Sequence, residues 1–284
     1  MISLNDIEGP LGVRISGCDL SRPVDDADFR VIHEAFLGRH VVSLAGQRLT
    51  PEQLIDFSRR LGPLEPHVLA QHHLAGYPEI IVLSNIVENG QPLGLADAGT
   101  YWHSDISYKA RPSRTTVLYA LEVPAEGGDT LFANLEAAYQ GLSAPMKDRL
   151  DGLQAIHNYA YRHDRLACET GIRSPLTAAQ LAETPAVTHP IVRTHPETGR
   201  KALYINPGFT MGIEGLAEPE GKSLMQELFD HCLKPEYCYR YHWEQGDVVF
   251  WDNASVMHSA TTQTLDPGKR RLIWRTIVSG EEPV

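Results

Sequence analysis

The chain has 284 residues, 42% of them hydrophobic and 21% charged, a globular balance that excludes disorder, collagen-like repeats and coiled coil. Its formal charge of −11 argues against nucleic acid or an anionic membrane surface as the main partner, because both demand a basic face. Four cysteines, Cys18, Cys168, Cys232 and Cys238, make no CxxC pair and no regular spacing, so reduced thiols are expected rather than a zinc knuckle or a disulfide framework.

The first six residues lack the basic region and apolar run of a signal peptide, and no stretch is apolar for long enough to span a bilayer, so a cytoplasmic location is the expectation. Residues 12–17 alternate and predict a short strand ending at a glycine turn; a helix follows near 28–37, then a buried strand at Val41–Leu44. Thr50 as N-cap, Pro51 at the first helical position and Gln53 three residues after the cap predict a helix that stops at Gly62-Pro63. Residues 80–83 read as a strand, and 88–100, rich in Gly, Asn, Asp and Pro, as a long loop and candidate lid. Further strands are predicted at 115–121 and 130–132, and a helix at 135–153. Residues 162–187 read as a second lid or insertion containing a short helix capped by Thr177 with Gln180. Strands at 187–193 and 202–205, a helix at 216–232 and strands at 238–243, 247–251 and 271–278 complete the chain. Short strands with helices in two blocks, and no repeat or linker, predict a single domain, mainly β with flanking helices, of sandwich or jelly-roll type rather than alternating βαβ units.

Two distant pieces carry the chemistry: Trp102-His103-Ser104-Asp105, and Trp251-Asp252-Asn253 running on to His258. On an extended strand, side chains two apart share a face, which would set an imidazole and a carboxylate side by side at His103 and Asp105. His258, placed near the end of a connecting stretch, would complete a 2-His-1-carboxylate facial triad, which leaves positions open on Fe(II). A His-x-Asp alone more often belongs to a solvated turn, and His258 is one of 13 histidines. Arg271 and Arg275 lie four apart on an alternating segment and share a face; two inward arginines in so acidic a chain need anions to pair with. Their planar forks suit carboxylate or sulfonate, and the competing reading is an edge strand with solvated arginines. Neither GxxxxGK[ST] nor GxSxG occurs.

These residues resemble the taurine dioxygenase-like family of Fe(II)- and 2-oxoglutarate-dependent dioxygenases, which includes aryloxyalkanoate and alkyl sulfate dioxygenases. The likeness spans nearly the whole chain, through 61–64, 102–105, Gly127-Gly128-Asp129-Thr130-Leu131, 192–196 with Gly199, 205–210, 251–253, His258 and Arg270-Arg271 with Arg275. It implies a double-stranded β-helix (jelly roll), with Fe(II) as cofactor and 2-oxoglutarate and O2 as co-substrates. It also implies a small anionic organic substrate hydroxylated next to sulfur or oxygen, with succinate and CO2 as co-products. Carried over, it makes His103, Asp105 and His258 the iron ligands. Arg271 would pair with the distal carboxylate of 2-oxoglutarate, helped by Thr130; Arg275 with His67 would meet the substrate's anionic head, beside pocket aromatics Tyr159 and Phe209. Members are commonly dimers or tetramers, so a homo-oligomer fits the resemblance.

Two departures bear on the substrate. The family's taurine enzymes carry an amine-reading asparagine where this chain has Gly99, and phenylalanine where it has Tyr159. Both point away from taurine toward an alkyl or aryl anion. A zinc hydrolase on the same triad would explain the ligands but gives Arg271 and Thr130 no task, and a non-catalytic jelly-roll binding module would keep the pocket without turnover.

Overall fold

The strand Val248–Asp252 is buried at every position, which accounts for its unbroken apolar run: a strand covered on both faces has no polar side. Val248 and Phe250 join the core under the helices, while Val249 and Trp251 join the core between two sheets. The computed structural model describes residues 2–67, 69–170 and 175–284. In it this strand lies inside an eight-stranded sheet ordered Ser3–Asp6, Val13–Ser16, Val41–Leu44, Val248–Asp252, Ser113–Glu122, Leu272–Ser279, Tyr77–Ser84 and His73–Leu74. The sheet is antiparallel except where Val13–Ser16 meets Val41–Leu44. Cys238–Tyr241, Thr130–Asn134 and Val256–Ala260 form a second antiparallel sheet, and Phe132, Tyr241 and Val256 from it pack with Leu118, Trp251 and Ile273 from the first. The predicted jelly roll is therefore present.

Helices Asp26–Arg39 and Pro51–Leu61 cover the outer face of the large sheet. Phe250, fully buried, meets Phe36 and Phe57 with ring centroids 5.8 and 5.5 Å apart; truncation to alanine would cost about 3–5 kcal/mol. The second helix has the predicted capping box: Gln53 N–H donates to Thr50 Oγ1, and Thr50 N–H to Gln53 Oε1. It ends at Gly62, where a Cβ would sit 2.7 Å from Val278 Cγ1. The first runs two residues further at each end than 28–37, because Asp25 accepts the Asp28 N–H and His40 stops it in a left-handed conformation at φ 64°. Leu135–Gln140, Ala144–Leu150 and Glu218–Cys232 back the small sheet.

Several expectations need correction. The helix predicted over 135–153 is two helices followed by the strand Gln154–His157: Gly141 packs so tightly on Tyr237 that a Cβ would overlap its hydroxyl, and Ser143 caps the second helix. The loop predicted over 88–100 begins as a hairpin, Val87–Glu88 against Gln91–Pro92, turned by Asn89-Gly90 at φ 50° and 76°. That dipeptide is a strong hairpin signal. Leu95 N–H then donates to Val82 O, strapping the segment to Tyr77–Ser84. The second candidate lid is largely helical, as Tyr159–Thr170 and Ala178–Glu183, the latter with its Thr177 and Gln180 capping box; 171–174 lie outside the described residues. Residues 102–105 are not a strand, since His103 alone makes a bridge, and His258 sits within the strand Val256–Ala260 rather than in a connection. Among the described residues no helix is long and apolar enough to cross a membrane, and all four cysteines are free.

The fold also buries neutral histidines. Burial holds His157 at about 3 and His40 at about 4, both down from 6.5. As pH falls below 6.5 the unfolded chain takes up protons that the folded chain refuses, so stability is lost on acidification toward pH 4 and unaffected above 6.5. His157→Gln is expected to flatten the slope of urea-derived stability between pH 4 and 6 by about 1.4 kcal/mol per pH unit; an unchanged slope would place that proton uptake elsewhere.

Candidate metal centre and its cavity

Two segments meet at one bridge, in which His103 N–H donates to His258 O at 2.9 Å and His258 N–H to His103 O at 2.8 Å. The imidazoles therefore leave neighbouring backbones side by side, with centroids 4.2 Å apart. A turn after Ser104, with Ile106 at φ 56°, brings Asp105 round to them: Oδ1 lies 3.6 Å from His103 Nε2 and Oδ2 3.5 Å from His258 Nε2. The three ligand atoms lie within 4.8 Å of one another, the one such His/Cys/Asp/Glu group among the described residues. His103 Nδ1 lies 2.7 Å from Tyr101 O, so it carries the proton and leaves the Nε2 lone pair for a metal. Burial, then the neighbouring His103 and Arg275, push His258 well below the ordinary histidine range. Neutral imidazole beside an ionised carboxylate is the donor state that a divalent metal requires, so these residues fit one.

Burial pushes the Asp105 carboxyl up, but the Arg275 guanidinium, 3.3 Å away, and then His258 and His103 outweigh it and hold the group well below the usual carboxylate range. Thr116 Oγ1 donates to Asp105 Oδ2 at 2.7 Å, and Asp105 N–H donates to Asn253 Oδ1 at 3.1 Å. Trp251 Nε1 also donates to Asn253 Oδ1, while Asn253 Nδ2 donates to the Ser113 and Thr116 hydroxyls. The Trp251-Asp252-Asn253 motif is thus a bracket for Asp105. Asp252 turns the other way, accepting from His195 Nε2 at 3.0 Å and from Ser255 Oγ at 2.6 Å. Sequence reasoning missed Thr116 and Ser113, since a hydroxyl within a β-branched strand carries no signal of its own.

His103 and His258 line a cavity that also has Thr130, Arg271 and Arg275 on its walls. Arg271 is 7% exposed, has no carboxylate within ion-pair distance among the described residues and leaves Nε unpartnered. Burial lowers it to about 10, so it stays protonated at neutral pH. Its backbone is clamped: Arg271 N–H donates to Asn85 Oδ1, and Ser84 Oγ to Arg271 O. Gly128 packs beside it in a left-handed conformation at φ 70°, which favours glycine. Thr130 Oγ1 accepts from Trp243 Nε1, which leaves its own hydrogen for another acceptor.

The remaining sequence-predicted residues, His67, Tyr159 and Phe209, lie around the triad rather than on the walls of that cavity. His67 feels both Arg275 and Asp105; burial, then Arg275, lower it to about 3, so it is neutral. Leu69 N–H donates to His67 Nδ1, which assigns the ring proton to Nε2. Phe209 stands edge-on to His103 with centroids 6.1 Å apart, and Tyr108 lies 4.8 Å from both Phe209 and Tyr159. Asn206 accepts the Phe209 N–H and donates to Ser107 Oγ, tying this loop to the metal loop. Gly99, at φ 67°, faces the metal edge directly: a Cβ would lie 2.9 Å from His103 Cε1.

Asp105→Ala is expected to abolish measurable Mn(II) binding in calorimetry, and Thr116→Val to weaken it by about 10–100-fold by releasing the carboxylate's orientation. Wild-type affinity in both would show that Asp105 is not a ligand.

Known proteins resemble the chain over most of its length. The chain is 32% identical over 276 residues, covering 97% of itself and 94% of the relative, to (S)-phenoxypropionate/alpha-ketoglutarate-dioxygenase of Sphingobium herbicidovorans. It is 34% identical over 255 residues, 86% of each chain, to the alpha-ketoglutarate-dependent 2,4-dichlorophenoxyacetate dioxygenase of Cupriavidus pinatubonensis. The crystal structure of a taurine dioxygenase from Burkholderia xenovorans superposes with a TM-score of 0.83 at 32% identity, over 100% of this chain and 91% of that one. The sequence profile of the taurine catabolism dioxygenase TauD, TfdA family matches residues 4–277. The chain belongs to that family of 2-oxoglutarate-dependent dioxygenases, which work with Fe(II), 2-oxoglutarate and O2.

Proposed function

We propose that the chain hydroxylates a small organic anion at the carbon next to sulfur or oxygen, with His103, Asp105 and His258 holding Fe(II) and Arg271 with Thr130 holding 2-oxoglutarate. The observation that carries this reading is one cavity lined both by the two histidines of the His-Asp-His cluster and by a buried arginine lacking a counter-ion among the described residues. When bound, the iron supplies the oxidising chemistry, converting 2-oxoglutarate and O2 to succinate and CO2 while one oxygen atom enters the substrate.

The protein's own share is charge and geometry. Arg271 offers two parallel N–H groups to the distal carboxylate of 2-oxoglutarate, and the Thr130 hydroxyl gives a third donor. Arg275 meets the anionic head of the primary substrate, and His67, being neutral, adds an Nε2–H donor without a further charge. Tyr108, Tyr159 and Phe209 form an aromatic wall suited to an alkyl or aryl body. The names of the aryloxyalkanoate-acting relatives support the same class. Hydroxylation next to sulfur or oxygen gives a product that collapses to a carbonyl, releasing sulfite, sulfate or an alcohol or phenol. Gly99 offers no side chain to read an amine, so taurine should be a poor substrate.

Anaerobic protein with Fe(II) and 2-oxoglutarate is expected to show a metal-to-ligand charge-transfer band. In Arg271→Ala the band should need about 100-fold more 2-oxoglutarate, as expected when one partner of a buried charge pair is lost. No band in the wild type sinks the reading. Across alkanesulfonates, alkyl sulfates, aryloxyalkanoates and taurine, succinate release should favour one of the first three by about tenfold or more in kcat/KM, roughly 1.4 kcal/mol; a maximum with taurine would refute the substrate inference from Gly99 and Tyr159.

A further inference from the structure

Among the described residues three arginines are more than nine-tenths buried: Arg162, Arg193 and Arg271. Arg162 lies over the Tyr101 ring at 4.0 Å and has further contacts, and Arg271 faces the metal cavity. Arg193 has no part in the reaction above. It is the buried middle residue of Val192–Thr194, and its guanidinium lies over the Tyr204 ring, 4.6 Å from the centroid. No carboxylate comes within ion-pair distance, and Nε has no partner among the described residues. The ring face offsets part of the cost of burying that charge, and the Tyr204 hydroxyl lies within reach of the fork, but neither supplies a counter-charge.

Arg193 lines a cleft of about 380 Å³ walled by 61–63, 112–114, 195–197 and 279–281, with no lining residue in common with the metal cavity. That volume lies within the range of small-molecule pockets. The other charges in the cleft are accounted for. Glu197 is shared by Arg114 and His33, Asp252 is held by His195, and Glu281 stands exposed to solvent. Arg114 also donates to Leu61 O, so it contributes a fixed positive wall rather than free donors. A buried cation without a counter-ion facing a cleft is the same signature that Arg271 shows beside the metal cluster.

We propose that this cleft binds a small oxyanion, of carboxylate or sulfate type, in the fork of Arg193. The cleft shares a wall with the metal loop, because Ser113 lines it while accepting from the Asn253 amide that brackets Asp105.

The test is a sulfate titration read by thermal unfolding, with chloride at matched ionic strength as reference because sulfate stabilises folded proteins generally. Wild type, Arg193→Met and Arg271→Met are compared, the last to remove anion binding in the metal cavity. A saturable response is expected in wild type and Arg271→Met, weakened at least about tenfold in Arg193→Met. An unchanged response in Arg193→Met overturns the proposal, as does a loss confined to Arg271→Met. Wild-type crystals soaked in selenate give a check that needs no variant. Anomalous density within hydrogen-bond distance of Arg193 supports the site; Glu281 folded onto Arg193 with no such density overturns it.

Discussion

Asp105 is 2% exposed, and burial by itself disfavours its charged form. The Arg275 guanidinium, the Thr116 hydroxyl and the flanking imidazoles together reverse that preference, and the amide of Asn253 fixes the backbone beneath it. These groups come from separate strands whose pairing sets their spacing: Thr116 stands opposite Ile277, and Leu118 opposite Arg275. A slip of one residue between Ser113–Glu122 and Leu272–Ser279 would turn Arg275 to the far face and leave a buried carboxylate without its cation. The register of the large sheet and the charge state of the centre are therefore a single constraint.

The same constraint explains how so acidic a chain can serve anionic ligands. A net charge of −11 spread over the surface is screened within about 8 Å at physiological salt, whereas guanidinium groups inside a cavity act through a medium of low dielectric. Arg271 is held by its backbone rather than by an acid, through Ser84 and Asn85. Its charge thus stays uncompensated and directed into the cavity, an arrangement that favours a ligand carboxylate over any internal partner.

Close packing gives the centre its shape. Gly208 lets the loop bearing Phe209 approach so closely that a Cβ would meet the Tyr101 ring at 2.7 Å, and Gly99 does the same against His103. Asn206 then joins Phe209 to Ser107, and Ser107 Oγ lies 3.3 Å from the neutral His157 beneath. Aromatic wall and metal loop are fixed to each other by neutral hydrogen bonds, which adds no charge to a cavity whose electrostatics are already committed.

Local chemistry in the sequence determined a good deal. The Thr50-Pro51-Gln53 and Thr177-Gln180 caps and the apolar runs of doubly covered strands could be read from residue type and spacing, and with likeness to a family these singled out His103, Asp105, His258, Arg271 and Arg275, which the fold brings together. Local pattern misleads where long-range packing diverges from it. The strand geometry invoked for His103 and Asp105 is a bridge and a turn, and His258 lies within a strand because Thr130–Asn134 supplies its ladder. The helix over 135–153 breaks because Tyr237 occupies the space beside Gly141. Asn253 and Ser84 acquire their tasks only when segments more than a hundred residues apart come into contact, and Thr116 acquires its own only when the turn after Ser104 brings Asp105 back onto its strand. Spacing along a chain reports which side chains share a face, whereas a buried charge is settled by partners from other strands, and only the tertiary structure decides which those are.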